Sequence, residues 1–281
     1  MVTMRNMDRI QDLAIVLRWV PYEERHRVVT ALTENHGRIS ALARNSIQSR
    51  RFGGSLEPFA ASEWTFVERV GADLYRVEEA QIRRGYEGLR ADFAKLSLAS
   101  VFNELMIRVA PEREPCPELF RLHANALAMV EETPAEALTG HGVLLNAYLA
   151  KVLQWSGNQA QVQACFQCHT GLEALKPSDS LTCLVADAAW VCPSCRKAGI
   201  EHLQDPESSR EFQHRSLRIS ARAAMDFYQS LVTPIRQVPE LARATGSEHE
   251  ALFLFIQAMM EYHVLGFDPT AFKSLRFLEM K

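Results

Sequence analysis

The stretch Arg27-Val-Val-Thr-Ala-Leu-Thr-Glu-Asn-His-Gly-Arg-Ile-Ser-Ala-Leu-Ala43 decides the fold of the N-terminal part of this chain. Two short runs rich in apolar and β-branched residues, Arg27 to Leu32 and Arg38 to Ala43, have the composition of strands. Asn35-His36-Gly37 separates the runs, and asparagine and glycine both tolerate the positive φ of a tight turn. The stretch therefore predicts a β-hairpin.

Similar strand-like runs lie on both sides of this hairpin. Leu13 to Trp19 precedes it, and Trp64 to Glu68 and Leu74 to Glu79 follow it. Five short strands between Leu13 and Ile82 are typical of a small barrel, such as the five-stranded oligonucleotide-binding (OB) barrel, in which strands and neighbouring loops form the binding face. We predict an α+β protein with an OB-fold nucleic-acid-binding domain over residues 1–82.

The apolar pattern becomes helical from about Gly85 onward, which predicts a mainly α-helical domain over residues 83–281. Ser247 and Glu250 have the spacing of a capping box and predict the start of the final helix, with Gly266 and Pro269 as its stop signals. We interpret the apolar stripes as packing core, and His123 within one of them as a structural histidine. The stripes are Leu89, Phe93, Leu96, Leu98, Phe102, Leu105 and Val109, then Leu119, His123, Leu127 and Val130, then Leu144, Tyr148 and Val152.

Composition indicates an ordinary globular protein with a local basic surface. The 281 residues are 47% hydrophobic and 23% charged, which allows a sizeable core. Apolar runs are too short to cross a bilayer, and the N-terminus lacks the pattern of a signal peptide, so we expect a cytoplasmic, nucleoid-associated protein without membrane contact. The net charge is −3, yet seven arginines face only three glutamates between Arg18 and Arg51.

The glycine-ended loop from Ala43 to Phe59 concentrates part of this positive charge beside a phenylalanine. Arginine binds phosphates, and aromatic rings stack on unpaired bases, so the loop suits single-stranded nucleic acid, although a solvated turn has a similar composition. Phe52 either stacks on a base or packs under the loop. The predicted DNA-binding residues are Arg18, Arg25, Arg27, Arg38, Arg44, Arg50, Arg51 and Phe52.

Two C-x-x-C pairs separated by 23 residues stand out in the second half of the chain. Each pair offers two thiolates, and two pairs together give a closed tetrahedral zinc site with no open position, which makes the metal structural. Disulfides or inert thiols are the alternative. The predicted Zn²⁺ ligands are Cys165, Cys168, Cys192 and Cys195, in an insertion at about residues 161–198, and Cys116 and Cys183 are left over.

Other chemistries fit these cysteines less well. Cys165 to His169 matches the attachment motif of c-type haem, but that motif belongs to exported proteins. A redox dithiol needs only one pair, and a nucleobase deaminase needs an H-x-E element that none of the nine histidines provides. Phosphate-loop, dinucleotide, nucleophile-elbow and zinc-protease motifs are absent as well. We therefore expect no enzymatic activity.

The order of motifs along the chain resembles the RecO family of bacterial recombination mediators. The resemblance runs through Ala14 to Arg18, Val28 to Thr33, Gly37 to Ile39 and Arg50 to Phe59. It continues at Leu89 to Asp92, Pro111 to Pro115 and Leu119-Phe120, includes both C-x-x-C pairs, and ends at Lys273 to Leu278. The family has an OB barrel followed by a helical domain, often with an inserted four-cysteine zinc site.

This resemblance implies a DNA repair and recombination mediator rather than an enzyme. Such a protein binds single- and double-stranded DNA, anneals complementary strands and, with RecR, helps load RecA onto DNA coated by single-strand-binding protein, whose C-terminal tail the helical domain can bind. The family usually has a second basic residue where this chain has Ile47 in Arg44-Asn45-Ser46-Ile47. Asn45 can still adopt a left-handed conformation. The alternative is a non-enzymatic scaffold whose barrel binds a protein and contacts DNA only secondarily.

Overall fold

The structure is a computed structural model that describes residues 9–47, 51–68, 71, 73–138, 142–158, 160–198, 217–264 and 267–279. The chain divides into two compact units, Met1–Ala137 with Phe272–Lys281, and Leu138–Ala271. The expected domain boundary at residue 82 stays a prediction. Among the described residues, no helix combines the length and the apolar character that crossing a membrane requires.

Five strands of the first unit close into a barrel, which confirms the predicted OB-type fold. They are β1 (Arg9–Tyr22), β2 (His26–Thr33), β3 (Gly37–Ala43), β4 (Ala61–Val67) and β5 (Tyr75–Arg84). Their order around the barrel is β1-β2-β3-β5-β4. All neighbours are antiparallel except β3 and β5, which run parallel where Ala41–Ala43 pairs with Tyr75–Val77.

Alternating residues of these strands fill the barrel interior. Trp64 and Phe66 on β4 are fully buried, together with Val29, Ala31, Ile39 and Ala41 on the facing strands. Burying one large apolar side chain contributes about 1.5–3 kcal/mol, so this interior supplies much of the barrel's stability. The alternation that predicted the strands therefore also identifies the side chains of the core.

The predicted hairpin forms between β2 and β3, and a buried carboxylate holds its turn. Gly37 has a φ of +65°. Asp12 on β1 accepts hydrogen bonds from the backbone N–H of Asn35 (3.0 Å) and from its Nδ2 (2.9 Å), and Asp12 Oδ2 lies 2.6 Å from His36 Nδ1. A residue of the neighbouring strand therefore helps to fix the turn.

The segment after the first long helix covers the free edge of β3. The N–H of Arg38 donates to Pro111 O (2.9 Å), and the N–H of Arg113 donates to Arg38 O (3.1 Å). A Cβ atom on Gly37 would lie only 2.0 Å from Glu114 O, so glycine is required for this close approach. The connector therefore protects edge hydrogen-bonding groups that β5 does not reach.

Three helices accompany the barrel in the first unit: α1 (Phe93–Val109), α2 (Pro117–Glu132) and the short C-terminal helix, numbered α8 in chain order (Leu275–Glu279). Asp92 caps α1 by accepting from the N–H groups of Ala94 (2.8 Å) and Lys95 (3.1 Å). The second predicted stripe is buried on α2, which confirms its role as core. Of the first stripe, Leu98, Phe102 and Leu105 are buried on α1, but Phe93 is 60% exposed at the first turn of the helix, so its assignment to the core was wrong.

Buried His123 confirms the expectation of a structural histidine. Its Nε2 lies 3.1 Å from Oδ1 of Asn103 on α1. Asn103 Nδ2 in turn donates to Val16 O (3.3 Å) and Leu17 O (2.7 Å), where the β1–β2 register shifts. This polar chain joins α2 through α1 to the backbone of β1.

The second unit combines helices with a small sheet. The helices are α3 (Val143–Trp155), α4 (Pro193–Lys197), α5 (Ala221–Val232), α6 (Val238–Leu241) and α7 (Gly246–His263). The strands are β6 (Ser180–Leu184), β7 (Ala189–Val191) and β8 (Arg218–Ser220), in the order β7-β6-β8. Leu144, Tyr148 and Val152 of the third stripe are buried on α3, as predicted.

The capping box of α7 lies two residues before the predicted position. Thr245, not Ser247, is the N-cap, and Glu248, not Glu250, reaches back to accept from the Thr245 N–H (2.9 Å). Both pairs have the required spacing. Contact with β8 selects between them, because Ser220 Oγ also donates to Glu248 at 2.6 Å. The stop signal at Gly266 lies outside the described residues.

Candidate nucleic-acid surface and metal centre

Two of the predicted DNA-binding arginines lie together at one end of the barrel. Arg25 is in the β1–β2 turn, and Arg44 follows β3. The two segments are tied by hydrogen bonds from the Ile47 N–H to Arg25 O (3.3 Å) and from the Asn45 N–H to His26 Nδ1 (3.0 Å). Asn45 has a φ of 53°, which confirms its expected left-handed conformation. Arg25 and Arg44 are exposed, and neither forms an ion pair with any residue in the described ranges.

Arg18 extends this basic end along the outer surface of β1. It pairs with Thr30 of β2, and paired residues point to the same face of the sheet. Because successive residues alternate between faces, Arg18 and Thr30 lie on the face opposite to that of the core residue Val29. The side chain is exposed and has no ion-pair partner within the described part of the chain. We call Arg18, Arg25 and Arg44 the basic end of the barrel; the exposed Glu23 and Glu24 in the turn of Arg25 offset part of its positive charge.

Arg27 and Arg38 are engaged in internal contacts instead. Arg27 Nη1 lies 2.8 Å from Glu57 Oε1, and its guanidinium lies 4.1 Å from the centre of the Trp19 ring. Arg38 Nε donates to Ala110 O (3.2 Å), and its Nη2 lies 3.3 Å from Glu112 Oε2. The structure therefore places both side chains where they fasten a loop or the connector to the barrel.

The loop that suggested nucleic-acid binding divides between core and surface. Phe52 is only 5% exposed and packs with the barrel core, so of its two expected roles the structure shows packing rather than stacking. Arg51 is exposed, with its guanidinium 5.2 Å from the centre of the Phe52 ring. It also donates to Glu78 O on β5. Arg50 lies outside the described residues.

Tyr22 is a surface aromatic that sequence reasoning missed. It is 46% exposed at the end of β1 and pairs with His26, the residue that holds Asn45. Val20, two residues earlier, is 47% exposed. The outward alternation of Arg18, Val20 and Tyr22 was the available signal, but it becomes visible only when the register of β1 is known.

The four predicted zinc ligands come together in the second unit. Their Sγ atoms all lie within 4.8 Å of one another, and Cys168 Sγ is 3.7 Å from Cys192 Sγ. A tetrahedron with metal–sulfur bonds of about 2.3 Å has edges of about 3.8 Å. All four donors are sulfur, a set that suits zinc. The cluster therefore fits a tetrahedral metal ion.

Backbone hydrogen bonds shape the two cysteine turns around this cluster. In the first turn, the Cys165 N–H donates to Thr170 O and the His169 N–H donates to Cys165 O, both at 2.9 Å. In the second, the Cys192 N–H points at Cys165 Sγ (3.3 Å) where α4 begins. Phe166 N–H donates to Trp190 O (2.9 Å) and so joins the first turn to β7.

Two of these thiols have pKa values shifted in opposite directions: burial and hydrogen bonds to the other cluster thiols raise the pKa of Cys195, whereas that of Cys168 is lowered. Hydrogen bonding to Thr170, whose Oγ1 lies 3.2 Å from Cys168 Sγ, lowers the pKa of Cys168 to about 6. A thiolate is the form that coordinates metal. Cys116 and Cys183 are buried elsewhere; burial raises the pKa of Cys116 to about 11 and raises that of Cys183 as well. These two thiols behave as small apolar core residues.

The barrel, the following helices and the four-cysteine cluster define a class of OB-fold proteins that carry a helical region and a metal-binding cluster. Residues 7–86 match the family described as "Recombination protein O N terminal", and residues 90–210 match "Recombination protein O C terminal". The chain belongs to the RecO family.

Several curated relatives carry the name "DNA repair protein RecO". The protein of Anaeromyxobacter dehalogenans (strain 2CP-C) is 35% identical over 163 residues, which are 58% of this chain and 62% of the relative. That of Anaeromyxobacter sp. (strain Fw109-5) is 33% identical over 68% of this chain and 72% of the relative. That of Cutibacterium acnes is 30% identical over 70% and 78%. The chain thus spans less than two thirds of the first relative.

Proposed function

We propose that this protein is a DNA repair and recombination mediator that binds single- and double-stranded DNA and anneals complementary strands. The observation that carries the proposal is the basic end of the barrel, where Arg18, Arg25 and Arg44 are exposed without ion-pair partners among the described residues. The proposal also assigns phosphate contacts to Arg50 and Arg51, as predicted from the sequence. The names of the relatives support a role in DNA repair.

The proposed mechanism is electrostatic and involves no covalent step. Two complementary strands repel each other through their phosphates, and guanidinium groups on one surface neutralise part of that charge. Each phosphate contact contributes about one unit to the slope of log affinity against log salt. Tyr22 lies at the same end and takes the base-stacking role that the burial of Phe52 precludes.

The proposal includes the protein partners that the family resemblance implies. With RecR, the protein helps load RecA onto DNA coated by single-strand-binding protein, whose C-terminal tail binds the helical region. We propose that this work takes place at the nucleoid in the cytoplasm. Support for these partners comes from family membership alone.

In the same proposal, Cys165, Cys168, Cys192 and Cys195 hold a structural Zn²⁺. The ion would cross-link a segment in which the structure describes only short strands and short helices. Four protein ligands complete its tetrahedral coordination, so no position is left for a substrate. Its contribution is therefore to the folding of the second unit.

A scaffold function is the second candidate, in which the barrel binds a protein and DNA contact is secondary. Exposed Val20 beside Tyr22 favours it, because apolar side chains at a strand end suit a protein contact. A scaffold keeps its partner protein when the arginines are reversed in charge, whereas a mediator loses DNA binding and annealing together.

The test is annealing of two complementary oligonucleotides, one coated with single-strand-binding protein, over a salt series. Arg25→Glu/Arg44→Glu should abolish the acceleration, and Arg50→Glu/Arg51→Glu should weaken it. Arg276→Glu/Lys176→Glu is the matched control, since it reverses two exposed charges that lie outside the barrel strands and their turns. If the basic-end variant anneals as fast as the control at every salt concentration, the mediator proposal is wrong.

A further inference from the structure

Three arginines that are distant in sequence converge on Glu78 in strand β5. Arg9 Nε lies 3.0 Å from Glu78 Oε2, and Arg76 Nη2 lies 2.6 Å from Glu78 Oε1. Arg51 donates to the main-chain carbonyl of the same residue. The cluster therefore places two guanidinium groups on one carboxylate and a third on the main-chain carbonyl of the same residue.

The strand register explains this convergence. Arg9 on β1 and Arg76 on β5 both pair with Val67 of the intervening strand, so the two guanidiniums start from neighbouring positions. Glu78 falls at the register shift between β4 and β5, where Val77 pairs with Phe66 and Glu79 pairs with Thr65. A residue at such a bulge is re-aimed, and here its carboxylate lies between the two arginines.

The cluster has the composition of a phosphate-binding site in which the Glu78 carboxylate occupies the position of the phosphate. Both anions accept charge-assisted hydrogen bonds from guanidinium groups, so a carboxylate between arginines occupies the position of a phosphate. Arg9 is well placed for an incoming ligand, because its side chain is 71% exposed, compared with 19% for Glu78. An ion pair that includes so exposed an arginine contributes little energy and is screened by salt, so a phosphate can compete for Arg9.

We propose that Arg9, Arg51 and Arg76 form a phosphate-binding site for the nucleic-acid backbone, and that Glu78 is a built-in competitor which limits its affinity. The inference rests on the proposed DNA-binding function and adds to it a second phosphate-binding site, together with a carboxylate that limits the affinity of that site. Weak, salt-sensitive contact suits a protein that must release the strands it has brought together.

The experiment compares Glu78→Gln with Glu79→Gln, using a fluorescent single-stranded oligonucleotide and anisotropy over a salt series. Both variants remove one negative charge from adjacent positions, but Glu79 is exposed and forms no ion pair with residues that the structure describes. Glu78→Gln should tighten binding about fivefold at low salt and steepen the salt slope by up to about one unit, because freed guanidiniums release further counterions. Glu79→Gln should change affinity less than twofold.

Adding Arg9→Gln and Arg76→Gln to Glu78→Gln should remove the gain, and circular dichroism should show that each variant keeps its fold. Wild-type binding with equal effects of Glu78→Gln and Glu79→Gln overturns this inference and leaves the proposed function intact. If the wild type binds no oligonucleotide, the proposed function fails, and calorimetry with tripolyphosphate decides on the site. Tighter tripolyphosphate binding by Glu78→Gln than by Glu79→Gln supports the site, and equal binding rejects it.

Discussion

Acidification should weaken the junction between the helices α1 and α2 and the barrel through a single buried histidine. Burial lowers the pKa of His123 from its ordinary 6.5 to about 3. The folded protein therefore keeps this imidazole neutral over a range in which the unfolded chain protonates it. Because the unfolded state then binds more protons, stability falls as the pH drops from about 6.5 toward 3.

The size of the effect follows from the two pKa values. Between pH 7 and pH 5, proton uptake by the unfolded chain at one histidine costs about 2 kcal/mol of unfolding free energy, at about 1.4 kcal/mol per pH unit below the unfolded pKa. The folded state does not charge His123 in place, since the side chain is fully buried and an imidazolium there would lose its hydration.

The assay is urea unfolding of the wild type and His123→Gln at pH 7, 6 and 5. Glutamine can donate to Asn103 but does not titrate, so the variant should lose about 2 kcal/mol less than the wild type between pH 7 and pH 5. Comparing the two pH-dependent losses cancels the other titrating groups and the direct cost of the substitution. Losses that agree within about 0.5 kcal/mol would refute the argument that His123 is held neutral by burial.

Three further outcomes are expected. Cys168→Ser should reduce bound zinc, measured by elemental analysis, from about one ion per chain to well below one, and should speed amide exchange in residues 161–198, because four cysteine sulfur atoms lie within 4.8 Å of one another. Normal zinc content in that variant would exclude the four-cysteine site. Gly37→Ala should cost about 2 kcal/mol or more in thermal or urea unfolding, since the added Cβ would lie 2.0 Å from Glu114 O at a φ of +65°. An unchanged midpoint would show that the connector does not pack on the hairpin. Thr245→Ala should lower the unfolding free energy by about 1 kcal/mol, whereas Ser247→Ala should change it little. Equal effects of the two substitutions would show that Thr245 is not the N-cap of α7.

Local sequence patterns predicted the elements that depend on local chemistry. The alternating apolar residues gave five strands, and Asn35-His36-Gly37 gave the turn that the structure shows. The two C-x-x-C pairs gave the thiol cluster, because a two-residue spacing places both sulfurs on one turn whatever surrounds them. The helical stripes likewise identified buried faces on α1, α2 and α3.

Side-chain roles at the candidate DNA surface could not be predicted in the same way. Arg27 and Arg25 are two residues apart, yet Arg27 pairs with Glu57 while Arg25 is exposed without an ion-pair partner in the described ranges. Phe52 was as compatible with stacking as with packing until the barrel core was seen to contain it. Each outcome depends on residues tens of positions away, which composition does not reveal.

The sequence alone determined the type of fold, the hairpin and the set of thiol ligands, because strand alternation, turn chemistry and ligand spacing all operate within a few residues. Tertiary structure alone decided which arginines face solvent and which residues Arg9 and Arg76 contact. It also shows that Gly37 must be glycine because the connector passes close to it. The physical reason is strand register. Closure of the barrel and coverage of its edge determine which distant residues become neighbours, and those neighbours determine which arginines pair with a carboxylate.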